Sequence, residues 1–167
     1  MSQDANNLAG QLADANVETT RAAAESLMLM GEEAQPAAVA LVSAAGHADD
    51  ATRESIVAAL EELGPPTKND LDSLSRLLET DNSDVAYWAA TLIGRLEEDA
   101  AAATAPLAAV LGDDSKQLNV RERCVWALER IGPGASAAVS SLESAASSTE
   151  PRLSRLAKQA LESIAGE

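Results

Sequence analysis

The chain has 167 residues, 46% of them apolar, with no Phe, one Tyr, two Trp, and a formal net charge of −15 from 27 acids against 12 bases. That length suits a single domain, and the apolar content is too high for a disordered chain. A surface this anionic repels phosphate backbones and lipid headgroups, which argues against nucleic acid and membrane partners and for a protein or peptide segment, basic in character.

The N-terminal MSQDANNLAGQLADAN has neither a basic start nor an apolar run, so no signal peptide is expected. No stretch approaches the roughly 18 apolar residues of a membrane span. A soluble, cytoplasmic chain is therefore expected. The first predicted element is a helix over 3–14 with Leu8 and Leu12 inward, a half-repeat that caps a longer helical array.

From residue 16 onward the sequence lines up with itself. Thr19, Thr52, Val85, Val120 and Leu153 open five copies spaced 33, 33, 35 and 33 residues apart. Eight residues into each copy stand Leu27, Leu60, Ile93, Leu128 and Leu161, and three further on Met30, Leu63, Leu96, Ile131 and Ile164. A fixed period in this range marks a solenoid of stacked helical units. Counting from zero at those openings, positions 0, 4, 7, 8 and 11 share one side of a helix and are predicted to face the core. The opposite side, positions 2, 6 and 9, carries Glu122, Trp126 and Glu129 in the fourth copy.

Starts and stops agree with this register. Asp49 and Asp50, Asn82 to Asp84, and Glu150-Pro151 precede three of the first helices, offering cap acceptors, favourable charge at the dipole's positive end and a first-turn proline. Gly31, Gly64 and Gly132 end three of them. In the third copy Glu97 stands in place of the glycine, which predicts a frayed or extended helix through EEDAAAATAP. A second helix comes after each turn, with inward Ala38, Leu41 and Ala45; Leu71, Leu74 and Leu78; Thr104, Leu107 and Leu111; and Val139, Leu142 and Ala146. The chain closes on a helix over 152–165, whose Arg152, Arg155, Lys158, Gln159 and Glu162 shield the last core layer.

The segments DDATRESIVAALEELG, SDVAYWAATLIGRLE and LNVRERCVWALERIG resemble the first helix of HEAT-like repeats, of the short variety found in phycobilisome lyases. Arg53 and Arg121 occupy the family's basic position; Thr20, Ala86 and Ser154 replace it elsewhere. The resemblance implies an all-α fold, a right-handed α-α superhelix of about five HEAT-like helix pairs and roughly ten helices. It covers one domain, 1–167, with the half-repeat at 3–14 and repeats beginning near 16, 49, 82, 117 and 150.

Catalytic options find few residues to carry them. Deoxyhypusine hydroxylase, built from similar repeats, holds two irons with several His-Glu pairs, whereas this chain has one histidine, His47, followed by Ala48. HEAT-type DNA glycosylases need a basic groove, which a charge of −15 opposes. Carboxylate pairs such as Asp49-Asp50 and Asp113-Asp114 fall in turns and at helix ends, where capping explains them. Cys124 cannot form an internal disulfide, and its inward position makes it a small core residue. No catalytic residue, metal ligand or cofactor is assigned.

The resemblance implies an interaction scaffold, not an enzyme; the alternative is a phycobilin lyase-type subunit handling a tetrapyrrole. Second helices of solenoids line the concave side, and their outward residues here are small. The partner-binding candidates are therefore Asp72, Arg76, Ala109, Ser140 and Ser144, joined by Tyr87 and Trp126, which fall at outward positions of adjacent first helices. A monomer is expected, with end-to-end association through the caps as the other arrangement.

Overall fold

The computed structural model describes the backbone of residues 2–166 and the side chains of residues 4–166. Every regular element among them is helical. The chain divides into two compact units, Met1–Asp70 and Leu71–Glu167.

The first unit holds α1 (Ser2–Gln11), α2 (Val17–Met30), a 3₁₀ stretch (Gly31–Ala37) running into α3 (Ala38–Ala44), and α4 (Asp50–Glu62), with a short 3₁₀ turn at Lys68–Asp70. Asn16 and Asp49 sit at the N-caps of α2 and α4. The Asn16 side chain accepts from the Glu18 and Thr19 amides, at 2.9 and 3.3 Å, and Asp49 accepts from the Thr52 amide at 2.9 Å. Each bond satisfies a backbone donor that the helix cannot pair internally. The helices α2 and α4 pack side by side, and α1 lies against α2 and the 3₁₀ stretch after it. Leu27, Leu41, Val42, Ile56 and Leu60 are fully buried in this unit.

The second unit is two layers. Its elements are α5 (Leu71–Leu78), α6 (Ser83–Arg95), a 3₁₀ stretch (Glu97–Ala103), α7 (Thr104–Gly112), α8 (Leu118–Ile131), a 3₁₀ stretch (Gly132–Ala138), α9 (Val139–Ala146) and α10 (Pro151–Ala165). One layer is α6, α8 and α10 in sequence, the other α5, α7 and α9, and the layers pair as α5/α6, α7/α8 and α9/α10. The core between them is Leu74, Leu78, Ile93, Leu107, Leu128, Leu142 and Leu153, all with no exposure. Burying each such side chain contributes about 1.5–3 kcal/mol. With mostly Ala and Leu between them, the helices approach closely.

The repeat register holds through most of the chain, with local slips. Ala5 in α1 and Leu12 just after it are buried, while Leu8 is only half-buried. In α2 the buried residue of the first turn is Thr20, not Thr19, because its hydroxyl turns inward to donate to the Asp14 and Asn16 carbonyls. Met30 and Leu161 are half-buried. In α9 Ala145 takes the place expected of Ala146, and Ala138 just before the helix takes that of Val139, one residue back along the turn. The outward position of Glu122 is also overturned. That side chain is buried because α8 sits between α6 and α10, and Arg152 of α10 closes over it at 3.3 Å.

Glu97 corrects the expectation of a frayed helix. Gly31, Gly64 and Gly132 have φ of +55°, +74° and +67°, and Glu97 adopts +53° in the equivalent place. The turn geometry is thus imposed on a residue that disfavours it. The helix stops there and a 3₁₀ stretch begins, as it does after α2 and α8.

Candidate functional site

The second-helix layer of the second unit presents the residues expected to meet a partner. Asp72 and Arg76 on α5, Ala109 on α7, and Ser140 and Ser144 on α9 are all exposed, with Ala105 beside them. These positions are side by side because α7 packs against both α5 and α9. Between α7, α8 and α9 lies a cavity of about 520 Å³, lined among others by Arg121, Asp114, Ser140, Ser141, Ser144 and Thr149. Among the described residues the hydroxyls of Ser140, Ser141 and Ser144 make no intramolecular hydrogen bond, whereas Ser147 donates to the Glu143 carbonyl and Ser154 to that of Ala146.

Arg121 anchors the cavity wall. Its Nε donates to the Leu111 carbonyl at 2.9 Å, and its Nη1 pairs with Asp114 at 2.8 Å. The cation is thereby neutralised by a neighbour. The remaining charges on this face are Asp72, Arg76 and Glu143, so it carries a slight anionic excess within a strongly anionic chain.

Arg121 also belongs to a pattern that runs along the chain. At the same repeat position Arg53 donates through Nη1 to the His47 carbonyl at 2.9 Å, Ser154 donates to the Ala146 carbonyl at 2.6 Å, and Thr20 donates to the Asp14 carbonyl at 3.2 Å. Each ties the start of a first helix to the chain leaving the helix before it. The third copy has Ala86 there and lacks the donor. Lys116 supplies it instead, reaching back from the α7–α8 loop to the Glu79 and Thr80 carbonyls at 3.1 and 3.0 Å. That loop is where the 35-residue spacing places its two extra residues.

On the first-helix layer, Tyr87 of α6 and Trp126 of α8 are brought together by a third residue that sequence reading did not single out. The Arg123 guanidinium lies 4.5 Å from the Tyr87 ring centre and 5.0 Å from that of Trp126, and its Nη2 donates to the Tyr87 hydroxyl. The i, i+3 spacing of Arg123 and Trp126 on one helix is the signal that identifies the stack. Trp88 is buried and edge-on to Tyr87, 5.9 Å between ring centres. The Trp126 ring rests on Gly94, where a Cβ would come within 2.3 Å of Cζ3. A cleft of about 340 Å³ opens beside it, bounded by Tyr87, Asn119, Glu122, Arg123, Arg152 and Leu156.

Asp49, Asp113, Cys124 and His47 have structural roles. The Thr52 hydroxyl and amide hold the Asp49 carboxyl below the usual carboxylate range, and Ser115 does the same for Asp113. Burial pushes the Cys124 thiol up to about 12. His47 accepts the Asp49 amide at Nδ1, 3.1 Å away, within its own turn. Among the described residues no group of three or more His, Cys, Asp or Glu is placed to hold a metal ion, and no helix is long and apolar enough to cross a membrane.

Helix pairs repeated in register and, in the second unit, stacked in two layers define an α-helical repeat protein. A family model for HEAT repeats matches residues 71–162, more than half of the chain, and the chain belongs to that family. The match falls on the second unit. No curated protein matches the chain. Among solved structures, a designed armadillo repeat protein in complex with the peptide (KR)4 superposes with a TM-score of 0.66 at 18% identity, covering 95% of this chain and 81% of that one. The complex of CpcE and CpcF of phycocyanin lyase from Nostoc sp. PCC7120 gives 0.66 at 19% identity, over 98% of this chain and 65% of that one. An engineered protein gives 0.62 at 21% identity, and this chain spans 96% of itself but only 47% of that protein. At these identities the likeness establishes the fold.

Proposed function

We propose that the protein is a non-enzymatic scaffold that binds a basic polypeptide segment along the α5–α7–α9 face. The observation that carries this reading is a run of exposed side chains on three adjacent helices, small on α7 and α9, ending at a cavity whose serine hydroxyls have no partner among the described residues. Small side chains leave room for a peptide backbone, and free hydroxyls can both donate to and accept from its amides. The net charge of −15 draws a cationic segment in and speeds its encounter. A relative of the same fold, the designed armadillo protein, is a complex with the peptide (KR)4. The same charge disfavours nucleic acid and anionic membrane surfaces.

The direct test is calorimetric titration with an alternating Lys-Arg peptide. Wild-type protein should bind saturably, with affinity falling as salt rises. An Ala109→Arg, Ser144→Arg double variant adds bulk and like charge at two exposed positions without touching the core, and should lose at least about tenfold in affinity. Equal affinity in the variant would place the site elsewhere.

The second reading, a lyase-type subunit handling a tetrapyrrole, draws on the likeness to the phycocyanin lyase complex. Titration with a linear tetrapyrrole separates the two. A saturable change in its visible spectrum supports the lyase reading, and an unchanged spectrum removes it.

A further inference from the structure

The cleft on the opposite layer has a different chemistry. Its floor is built from three consecutive first helices: Tyr87 from α6, Arg123 and Trp126 from α8, and Arg152 from α10. Arg123 is unusual among the cations of this acidic chain. Its guanidinium has five donors, of which one is used, by the Tyr87 hydroxyl, and two aromatic rings flank it. Among the described residues no carboxylate pairs with Arg123, as with Arg76, Arg155 and Lys158, but those three are exposed and Arg123 is half-buried. Arg152 is 71% exposed and is fixed through Nε by Glu122, which is only 9% exposed. Arg123 and Arg152 against Glu122 give the cleft one net positive charge.

The apolar part of the cleft is held in place. Any side chain at position 94 would collide with the Trp126 ring, so Gly94 creates its seat, and Arg123 covers one side of it. A half-buried aromatic side chain that is already ordered loses little entropy when a partner packs against it. Leu156 adds an aliphatic wall. An uncompensated, pre-stacked guanidinium beside a fixed indole and a leucine is complementary to a carboxylate carried next to an apolar side chain.

We infer that the α6–α8–α10 cleft is a second docking site, for an acidic segment of a partner protein in which an Asp or Glu stands beside an apolar residue. Arg123 receives the carboxylate, Arg152 supplies a second cation at the rim, and Trp126 and Leu156 take the apolar side chain. The site stands apart from the α5–α7–α9 face and attracts the opposite charge, so the second unit presents two surfaces of opposite selectivity.

The test uses the full chain and a short peptide of alternating Glu and Leu, with its Gln-Leu counterpart as control. Binding is followed by tryptophan emission and by calorimetry. The acidic peptide should bind saturably and shift the emission, while the Gln-Leu peptide should be at least about tenfold weaker. Arg123→Gln should cost at least about tenfold for the acidic peptide, and Arg155→Gln, on the exposed face of α10, should cost nothing. Asn119→Glu, an exposed change in the first turn of α8, places a fixed negative charge at the cleft mouth and should weaken the acidic peptide to a similar degree without straining the helix. No saturable binding by wild type, or equal affinities for wild type, Arg123→Gln and Asn119→Glu, would overturn the proposal. The Ala109→Arg, Ser144→Arg variant should leave acidic-peptide affinity unchanged, so the two sites stand or fall separately.

Discussion

Glu97 is the residue most clearly held against its own preference. A positive φ costs an L-residue with a side chain about 1–2 kcal/mol, and the equivalent turns use glycine. What it gains is an ion pair with Arg130, whose guanidinium in turn lies 6.0 Å from the Trp126 ring centre. That pair is half exposed on both sides and contributes little to stability. Glu97→Gly should therefore raise stability by about 0.5–1 kcal/mol, after the added flexibility of the unfolded chain is subtracted, and thermal melting should show a rise of roughly 2 °C. A lower melting temperature would mean that the Arg130 pair outweighs the backbone strain. Gly94 has the opposite character. An added methyl would stand 2.3 and 2.8 Å from Trp126 ring carbons and 3.1 Å from the Ala127 Cα, so Gly94→Ala should destabilise by about 1–3 kcal/mol and shift the Trp126 emission. Urea unfolding followed by fluorescence reads both effects at once. Sequence reading marked Glu97 as a departure but mistook its consequence, because the conformation at that point is set by the packing of the flanking helices. It gave no sign of Gly94's role, since what lies over a helical glycine depends on the neighbouring helix.

At the scale of the element, the first helices are positioned by donors that bind the carbonyls at the end of the preceding second helix. The Arg53 and Arg121 positions were legible in the pattern, and so were the cap stretches at 49–50 and 82–84, within which Asp49 and Asn82 make the bonds, because caps and repeat-specific residues are local in sequence; Glu150 makes no such bond. The substitution of Lys116 for the donor missing at Ala86 was not, since the side chain reaches 36 residues back to the Thr80 carbonyl. The two extra residues were visible as a change of spacing, but their purpose needs the fold. Lys116 is 14% exposed, and charged hydrogen bonds of this kind contribute about 1.5–3 kcal/mol when fully formed. Because the freed carbonyls can take up water, Lys116→Met should cost about 1–2 kcal/mol, against less than about 0.5 kcal/mol for Lys158→Met on the exposed face of α10. Equal costs in chemical unfolding would show that the loop, and not the lysine, holds α5 in place.

For the molecule, the class of fold was readable because a 33-residue period with one apolar side per helix has few solutions. The core of the second unit followed the register closely at Val120, Cys124 and Leu128, and failed at Glu122, where a third helix covers what one helix alone would expose. The candidate sites divide in the same way. Exposure at Asp72, Arg76, Ala109, Ser140 and Ser144 followed from helical phase. The cavity beside the serines and the Arg123 stack did not, because each is assembled from several helices whose spacing no single helix encodes. HEAT-repeat surfaces diverge while their cores persist, so the use of this chain is written in those assembled surfaces. Amide hydrogen exchange on the full chain, with and without an alternating Lys-Arg peptide, tests the scaffold reading most directly. Slowed exchange confined to Leu71–Leu78, Thr104–Gly112 and Val139–Ala146 is the predicted result; unchanged exchange there at saturating peptide, or protection only on Ser83–Arg95, Leu118–Ile131 and Pro151–Ala165, would contradict it.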